Sequence, residues 1–413
     1  MTRAGAPLGR SDGTPLAFRP FLGISGRYDG NLFPIEAGQQ PAFRQNRFGL
    51  FGNWGLYGVR RGERNLLGLS YAGNYRHYFQ GSSFSGANQF FSLNYMHQLG
   101  PRTAVFVAPG FGIYKYGLHS TTTPLIADLS LLTEVSDPNA EGFDNRTFSY
   151  SAVAGVTRQL SERWSGSFAG GGYYIKRKSN AFISSQGTTA NSSLSYQLGR
   201  TQRIGVSYSY SFYFFPRGYG ESQNHTVYLD YGVQLTRRWH IALAGGALRS
   251  ESDRLTRVNL DPVLASLTGQ QTVLEAMHRV VYRPAARFTA GRQMERGSLS
   301  FYYRRDVSPG NGFISTAVRD FGGASYSYTA TEKLNIGFNF SANTYENLTR
   351  DTGRYTTLGG GVGFNYSLNR YLHLTTRVDV RRWRVRNADF DRHRLGASIG
   401  LTFSPGETPL SLW

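Results

Sequence analysis

The chain contains no cysteine, so neither disulfides nor thiol chemistry contributes to its fold or activity. It has no run of about eighteen apolar residues, and its mean hydropathy is −0.38, which excludes a transmembrane helix. Lysine is almost missing, with 4 residues against 41 arginines. The net charge of +19 would suit nucleic acid, but no compact basic helix, RNP-like motif or Lys-rich tail is present, and no nucleic-acid partner is expected. The eight histidines are scattered, with no pair at the HExxH spacing, and no carboxylate-rich calcium loop occurs. The run Gly359-Gly360-Gly361-Val362-Gly363 lacks the strand–turn–helix setting of a nucleotide site. No Ser/His/Asp or Asp/His set stands out, so neither a cofactor nor an enzymatic site is expected. The opening MTRAGAPLGRSDGTP has no apolar core of a secretory signal. An exported form would therefore be a mature chain or derive from a longer precursor.

What is abundant is glycine, at 50 residues, and aromatic side chains, at 15% of the chain. Both favour strands and turns. The stretch 203–235 shows the pattern most clearly. Ile204, Val206, Tyr208, Tyr210, Phe212 and Phe214 alternate with Arg203, Gly205, Ser207, Ser209 and Ser211. After the turn-rich PRGYGESQN, Val227, Leu229, Tyr231, Val233 and Leu235 alternate with Thr226, Tyr228, Asp230, Gly232 and Gln234. A period of two means β-strand, because successive side chains point to opposite faces. Runs of about ten residues exceed the usual soluble strand and match a tilted strand crossing a bilayer.

The same pattern recurs without a domain break at 17–28, 46–60, 64–79, 87–99, 103–117, 146–160, 163–178, 188–198, 202–215, 224–236, 238–250, 280–293, 297–307, 316–330, 333–346, 355–368, 371–385 and 392–403. Short connections such as QLGPRT, QLSERW, QLTRRW and SLNRYL alternate with longer, irregular ones, notably 118–145 and 251–279. This layout resembles an outer-membrane up-and-down antiparallel β-barrel, all-β, of about eighteen strands, with sixteen the other even count it allows. The resemblance implies short periplasmic turns, longer extracellular loops and a lower aromatic girdle holding Trp164, Trp239 and Tyr371. The expected organisation is a periplasmic arm at 1–16, a transmembrane barrel at 17–403 and a periplasmic extension at 404–413. A soluble sandwich rarely keeps such long strands and two unequal classes of turn through so many hairpins.

Near the C-terminus, Arg394-Leu-Gly396-Ala-Ser-Ile399-Gly-Leu401-Thr-Phe403 resembles the signal read by the outer-membrane assembly machinery, which is thus an expected partner. That signal usually ends the chain on an aromatic; here Phe403 and Trp413 compete for the role.

Assigning the apolar set of each strand to lipid leaves the other set for the lumen. From the fourth to the eleventh run the lumen set is mostly small and neutral, including Ser92, Ala108, Ser151, Ser167, Ser193, Ser209 and Ala244. From the twelfth run round to the first it carries Arg283, Arg287, Arg304, Arg319, Arg377, Arg381, Arg394, Arg19 and Arg27, with Asp306 and Asp379. The 118–145 loop follows the fifth run and holds Asp128, Glu134, Asp137, Glu141 and Asp144 without any Lys or Arg. Folded inward across from the arginines, it would resemble a porin eyelet, whose charged rings set ion preference. The resemblance implies passive diffusion of small anionic solutes. The competing reading is that inward Arg and Asp pair merely to keep a polar lumen, in a structural or partner-binding barrel; an enzyme at the barrel rim ranks after both. TPLIADLSLLTEV within 118–145 and DPVLASLTGQQTVLEAM within 251–279 have the composition of short helices that could plug such a lumen.

Lys176, Arg177, Lys178, Arg217, Arg249, Arg382, Arg384 and Arg386 fall near the outer ends of strands. They would either hold lipopolysaccharide phosphates or form the solvated rim that any barrel needs. Outer-membrane lipid, a second copy of the chain or another envelope protein complete the expected partners.

Overall fold

A computed structural model of the protein describes residues 17–32, 45–79, 85–115, 146–178, 183–216, 220–259, 271–310, 315–348, 354–386 and 390–404. Eighteen strands account for nearly all of them: β1 (Ala17–Leu32), β2 (Gln45–Arg61), β3 (Asn65–Tyr78), β4 (Gly86–Gly100), β5 (Thr103–Tyr114), β6 (Thr147–Gln159), β7 (Trp164–Arg177), β8 (Ser185–Gln197), β9 (Gln202–Phe215), β10 (Gly220–Gln234), β11 (Trp239–Asn259), β12 (Thr272–Met294), β13 (Gly297–Ser308), β14 (Ala317–Thr329), β15 (Leu334–Asn347), β16 (Arg354–Ser367), β17 (Leu372–Val385) and β18 (Phe390–Phe403). Each strand pairs antiparallel with the next in sequence, and β1 pairs with β18 from Leu22–Phe403 to Gly30–Leu395, so the sheet closes. The expected count of eighteen is thereby met. The expected arm at 1–16 and residues 405–413 of the expected extension, with Trp413, lie outside the described residues; Phe403 is the last residue of β18.

Alternation decides which face each side chain takes. Leu22, Ile24, Phe168, Val206, Val227, Leu229, Phe338, Phe340 and Ile399 are exposed on the outer surface. Their neighbours in sequence turn inward. Among the described residues no helix could cross a membrane, and the crossing is made by strands. A closed ladder with an apolar outer band and polar interior is the form in which strands can span lipid, because every backbone group finds its partner inside the protein.

At one end of the barrel all eight connections are short, of two to four residues each. Several share a local cause. Ser161 Oγ accepts from the N–H of Trp164 at 3.1 Å, Thr236 Oγ1 from Trp239 at 3.1 Å, Thr331 Oγ1 from Leu334 at 3.1 Å and Asn369 Oδ1 from Leu372 at 2.8 Å. A short polar side chain thus closes the turn three residues before the next strand. Trp164 and Tyr371 are exposed there, and Tyr371 stacks near Phe403 with ring centroids 6.2 Å apart.

Two features were not foreseen. β11 and β12 run well past the alternating core, pairing as far as Asn259–Thr272. The segment Thr272–Met277, expected to be helical, is therefore strand. Its Thr and Val find a ready ladder on β11, and cross-strand pairing overrides helical composition.

The second feature is an overlap in the wall. β12 pairs with β13 only from Met294–Gly297 to Ala286–Arg305. Beyond that point the upper ends of β13–β15 pass inside those of β9–β12. Val307, Val318 and Leu348 share the outward parity of Tyr303 and Phe338 on their strands, yet they are buried against Tyr213, Phe215, Tyr228, Leu248 and Ala285, which face inward. Tyr213 Oη donates to the Val307 carbonyl at 3.2 Å, and Arg283 Nη2 on the inner face of β12 lies 3.7 Å from Glu346 Oε1 on the outward face of β15. The inward face of the same tip is sealed by a second apolar group, in which Ala317 packs with Tyr345, Tyr355 and Trp383.

An arginine on the lipid face should separate from one on the lumen face. Leu229→Arg is expected to cost about 2–4 kcal/mol in denaturant unfolding from lipid, and Ser167→Arg far less. Equal costs would contradict the assignment of faces.

Candidate functional site

The inward arginines do not stand alone in a water-filled bore. Three of them precede an aspartate by two positions, as Arg27-Tyr-Asp29, Arg304-Arg-Asp306 and Arg377-Val-Asp379, and in a strand this spacing puts both groups on one face. Arg27 Nε is 2.8 Å from Asp29 Oδ2, Arg377 Nε is 3.5 Å from Asp379 Oδ1, and Arg304 pairs with Asp306.

Across β17, β18, β1 and β3 these pairs merge into one buried cluster. Asp29, 0% exposed, accepts from Arg27, from Arg394 Nε at 3.0 Å and Nη2 at 2.8 Å, and from Tyr78 Oη at 2.5 Å. Arg27 Nη2 lies 3.5 Å from Asp379 Oδ1. Gly396, between Asp29 and Asp379 in register, leaves room for this meeting: a Cβ there would sit 2.9 Å from Asp379 Oδ2 and 3.1 Å from Arg27 Nη2. Arg47 is the register partner of Asp29, and Arg76 and Arg381 face inward nearby. Around this cluster stand Arg27, Arg47, Arg76, Arg377, Arg381 and Arg394, with Asp29 and Asp379 as the acidic members.

The other expected lumen arginines are positioned by rings and amides. The guanidinium of Arg287 lies 3.9 Å above the centre of the Tyr228 ring. That of Arg319 lies 4.4 Å from the centre of Phe321, and its Nε donates to Asn343 Oδ1 at 3.2 Å. Arg283 meets Glu346 across the wall overlap. Arg19 faces inward near the short-turn end and is exposed. The lumen wall toward the short turns is small and polar, with hydroxyl pairs Ser165–Ser195 at 2.8 Å, Ser167–Ser193 at 2.7 Å, Ser298–Ser327 at 2.8 Å and Ser300–Ser325 at 2.6 Å.

The acidic loop residues Asp128, Glu134, Asp137, Glu141 and Asp144, and the apolar stretch TPLIADLSLLTEV, lie outside the described residues. Among the described residues it is the upper ends of β13 and β14 that enter the lumen. Of the outer-end basic residues, Arg177 requires correction. It turns inward, is 5% exposed and donates to the Ile183 carbonyl, because it shares parity with Ser165 and Ile175. Lys176 and Lys178 are exposed, and Lys176 has the outward parity. Arg382 pairs with Asp391 on the outer face, Arg249 with Glu251 at 2.5 Å, and Arg384 is exposed. Arg386 is exposed just past the end of β17, and Arg217 lies outside the described residues.

Sequence reasoning missed Asp29, placed in a loop, together with its partners Tyr78, Arg47 and Arg76. The signal available was the R-x-D spacing, used three times on the inward face.

No known family and no curated protein matches the sequence. Among solved structures, the chain is similar to the outer membrane protein OpdK from Pseudomonas aeruginosa, with 10% identity, TM-score 0.44, and coverage of 94% of this chain and 99% of that one. It is also similar to the ferric-catecholate import receptor Fiu from E. coli K12 (9%, 0.44, 96% and 82%) and to OccAB4 from Acinetobacter baumannii (9%, 0.43, 95% and 98%). The closed eighteen-strand ladder with its apolar outer band makes this chain a transmembrane β-barrel of the outer-membrane type.

Removing one member of a buried charge cluster leaves the others uncompensated, at a cost of about 3–5 kcal/mol. Asp29→Ala should lose stability on that scale in detergent unfolding. Arg382→Ala, which breaks an exposed and solvent-screened pair, should lose far less. Similar losses in the two would mean that the Asp29 cluster is not desolvated.

Proposed function

We propose that the protein is a passive channel for small anionic solutes, its preference set by the arginine-rich arc of the lumen. The observation that carries this reading is the excess of arginine over aspartate around Asp29 and Asp379 on one inner wall, facing a wall of Ser, Gly and Ala. A barrel of this strand number encloses an aqueous channel unless something fills it, and fixed positive charge along it raises the local concentration of anions. Selection needs no covalent step: Arg287, Arg304, Arg377 and Arg381 act as fixed charges. The residues of the acidic loop, Asp128, Glu134 and Asp137, would supply the opposing sign of a transverse field. Outward basic residues, Lys176, Lys178, Arg382 and Arg384, support contact with lipopolysaccharide phosphate, and the end of β18 supports recognition by the assembly machinery.

A second reading rests on a specific observation. The β13–β14 tip is held inside the lumen by apolar packing on both of its faces, as in a barrel whose bore is filled and whose task is to bind an envelope partner.

Planar-bilayer recording distinguishes the two. A salt gradient should give current steps with a reversal potential on the anion side, and Arg287→Gln with Arg381→Gln should move it toward zero. Absence of current steps would favour the filled barrel; cation preference, or an unmoved reversal potential, would remove the arginines from the mechanism.

A further inference from the structure

The overlap in the wall has a depth and a chemistry. Ala286, where the β12–β13 ladder stops, is eight residues above Met294 at the short-turn end. At about 3.3 Å per residue and a tilt of about 40°, that is roughly 20 Å, inside an apolar band about 25 Å tall. The wall therefore parts within the outer leaflet, not above it. Pro284, two residues on, has no N–H to give a ladder and is a residue of strand edges. Among the described residues, β12 from Thr272 to Ala285 pairs on the β11 side alone.

On the lipid side of the parting stand polar groups that hydrocarbon would not accommodate cheaply. Tyr303 Oη donates to Asp320 Oδ1 at 2.7 Å, and Arg305 Nη1 donates to the same oxygen at 3.2 Å. Inside the parting lies an apolar surface of Tyr213, Phe215, Leu248 and Ala285, covered by Val307 and Val318. Arg283 and Arg287 border it on β12. A greasy strip bounded by guanidinium groups, reached from the leaflet past a polar lip, has the chemistry of an acyl chain ending in an anionic head.

We propose that the overlap between β12 and β13 is a lateral passage for an anionic amphiphile between the lumen and the outer leaflet. The acyl chain takes the place of Val307 and Val318 against Tyr213, Phe215 and Leu248, and Arg283 and Arg287 hold its carboxylate or phosphate. The upper ends of β13 and β14, at Val307 and Val318, are the movable part, because the ladder to β12 has already ended. This goes beyond axial diffusion of small anions and does not depend on it.

The absence of cysteine makes the test direct. Thiols introduced as Leu248→Cys and Val318→Cys, both from the same buried cluster, are bridged with a short reducible bis-thiosulfonate in proteoliposomes. Transfer of a fluorescent long-chain carboxylate is followed alongside ion conductance. The unbridged protein should speed transfer over protein-free vesicles, and bridging should leave the passage of a short-chain analogue unaffected. Bridging should return transfer to the protein-free rate, reduction should restore it, and conductance should hold throughout. A second variant, Arg283→Gln with Arg287→Gln, should weaken binding of the carboxylate about tenfold, by loss of charge-assisted hydrogen bonds, and spare the corresponding alcohol. A fluorescent phosphatidylglycerol placed in the bilayer identifies the source: its redistribution points to a resident lipid, and transfer of the soluble probe alone to a free acid. No acceleration by the unbridged protein, transfer unchanged by bridging, or joint loss of transfer and conductance would overturn the lateral passage. Failure of the two thiols to bridge would overturn the overlap on which it rests. An axial channel without amphiphile transfer would refute this proposal and leave the preceding one intact.

Discussion

Hydrocarbon offers no partner to a backbone N–H or C=O, and the rest of this architecture depends on that constraint. Below the level of Ala286 each of the eighteen strands is satisfied by its two neighbours, and the first strand is satisfied by the last. Once the ladder must close, alternation follows: a side chain can only face lipid or lumen. Leucines and aromatics at one parity, serines and glycines at the other, are the visible result. The ladder lapses above Ala286, where a strand edge carries a proline and ion-paired side chains gather on the lipid side.

The interior obeys a different demand. Arginines that face inward are far from bulk water when neighbours crowd them, so charge needs a countercharge or a ring. Spacing Arg and Asp by two residues supplies the countercharge on the same strand, and register brings two such strands together around Asp29 and Asp379. Where no carboxylate is at hand, Tyr228 and Phe321 present aromatic faces. The same arc is both a packing solution and a source of positive potential, and these roles compete for each guanidinium.

Most of the fold was legible in the sequence, because period-two alternation is a local property repeated many times. The strand edges deduced from 203–235 agree with β9 and β10 to within a few residues. Parity also placed Arg287, Arg304, Arg377, Arg381 and Arg394 toward the lumen without any structure. The overlap was not legible, because Val307 and Val318 read as ordinary lipid-facing residues. Their burial depends on where β12 lets go of β13, a fact held in three-dimensional register and only hinted at by Pro284. Asp29 was missed for a similar reason. It stands just past the expected end of its strand, and its importance comes from Arg394, at the far end of the chain.

That separation has a kinetic meaning. Asp29 and Arg394 are 365 residues apart in sequence, so the contact that ties the first strand to the last carries the largest loop-closure entropy in the cylinder and forms late in folding. Until it does, β1 and β18 each expose an unpaired edge, the state most prone to pair with a foreign strand. The buried charges at the junction thus reward closure itself: Asp29 meets its β18 arginine only once the first and last strands are side by side.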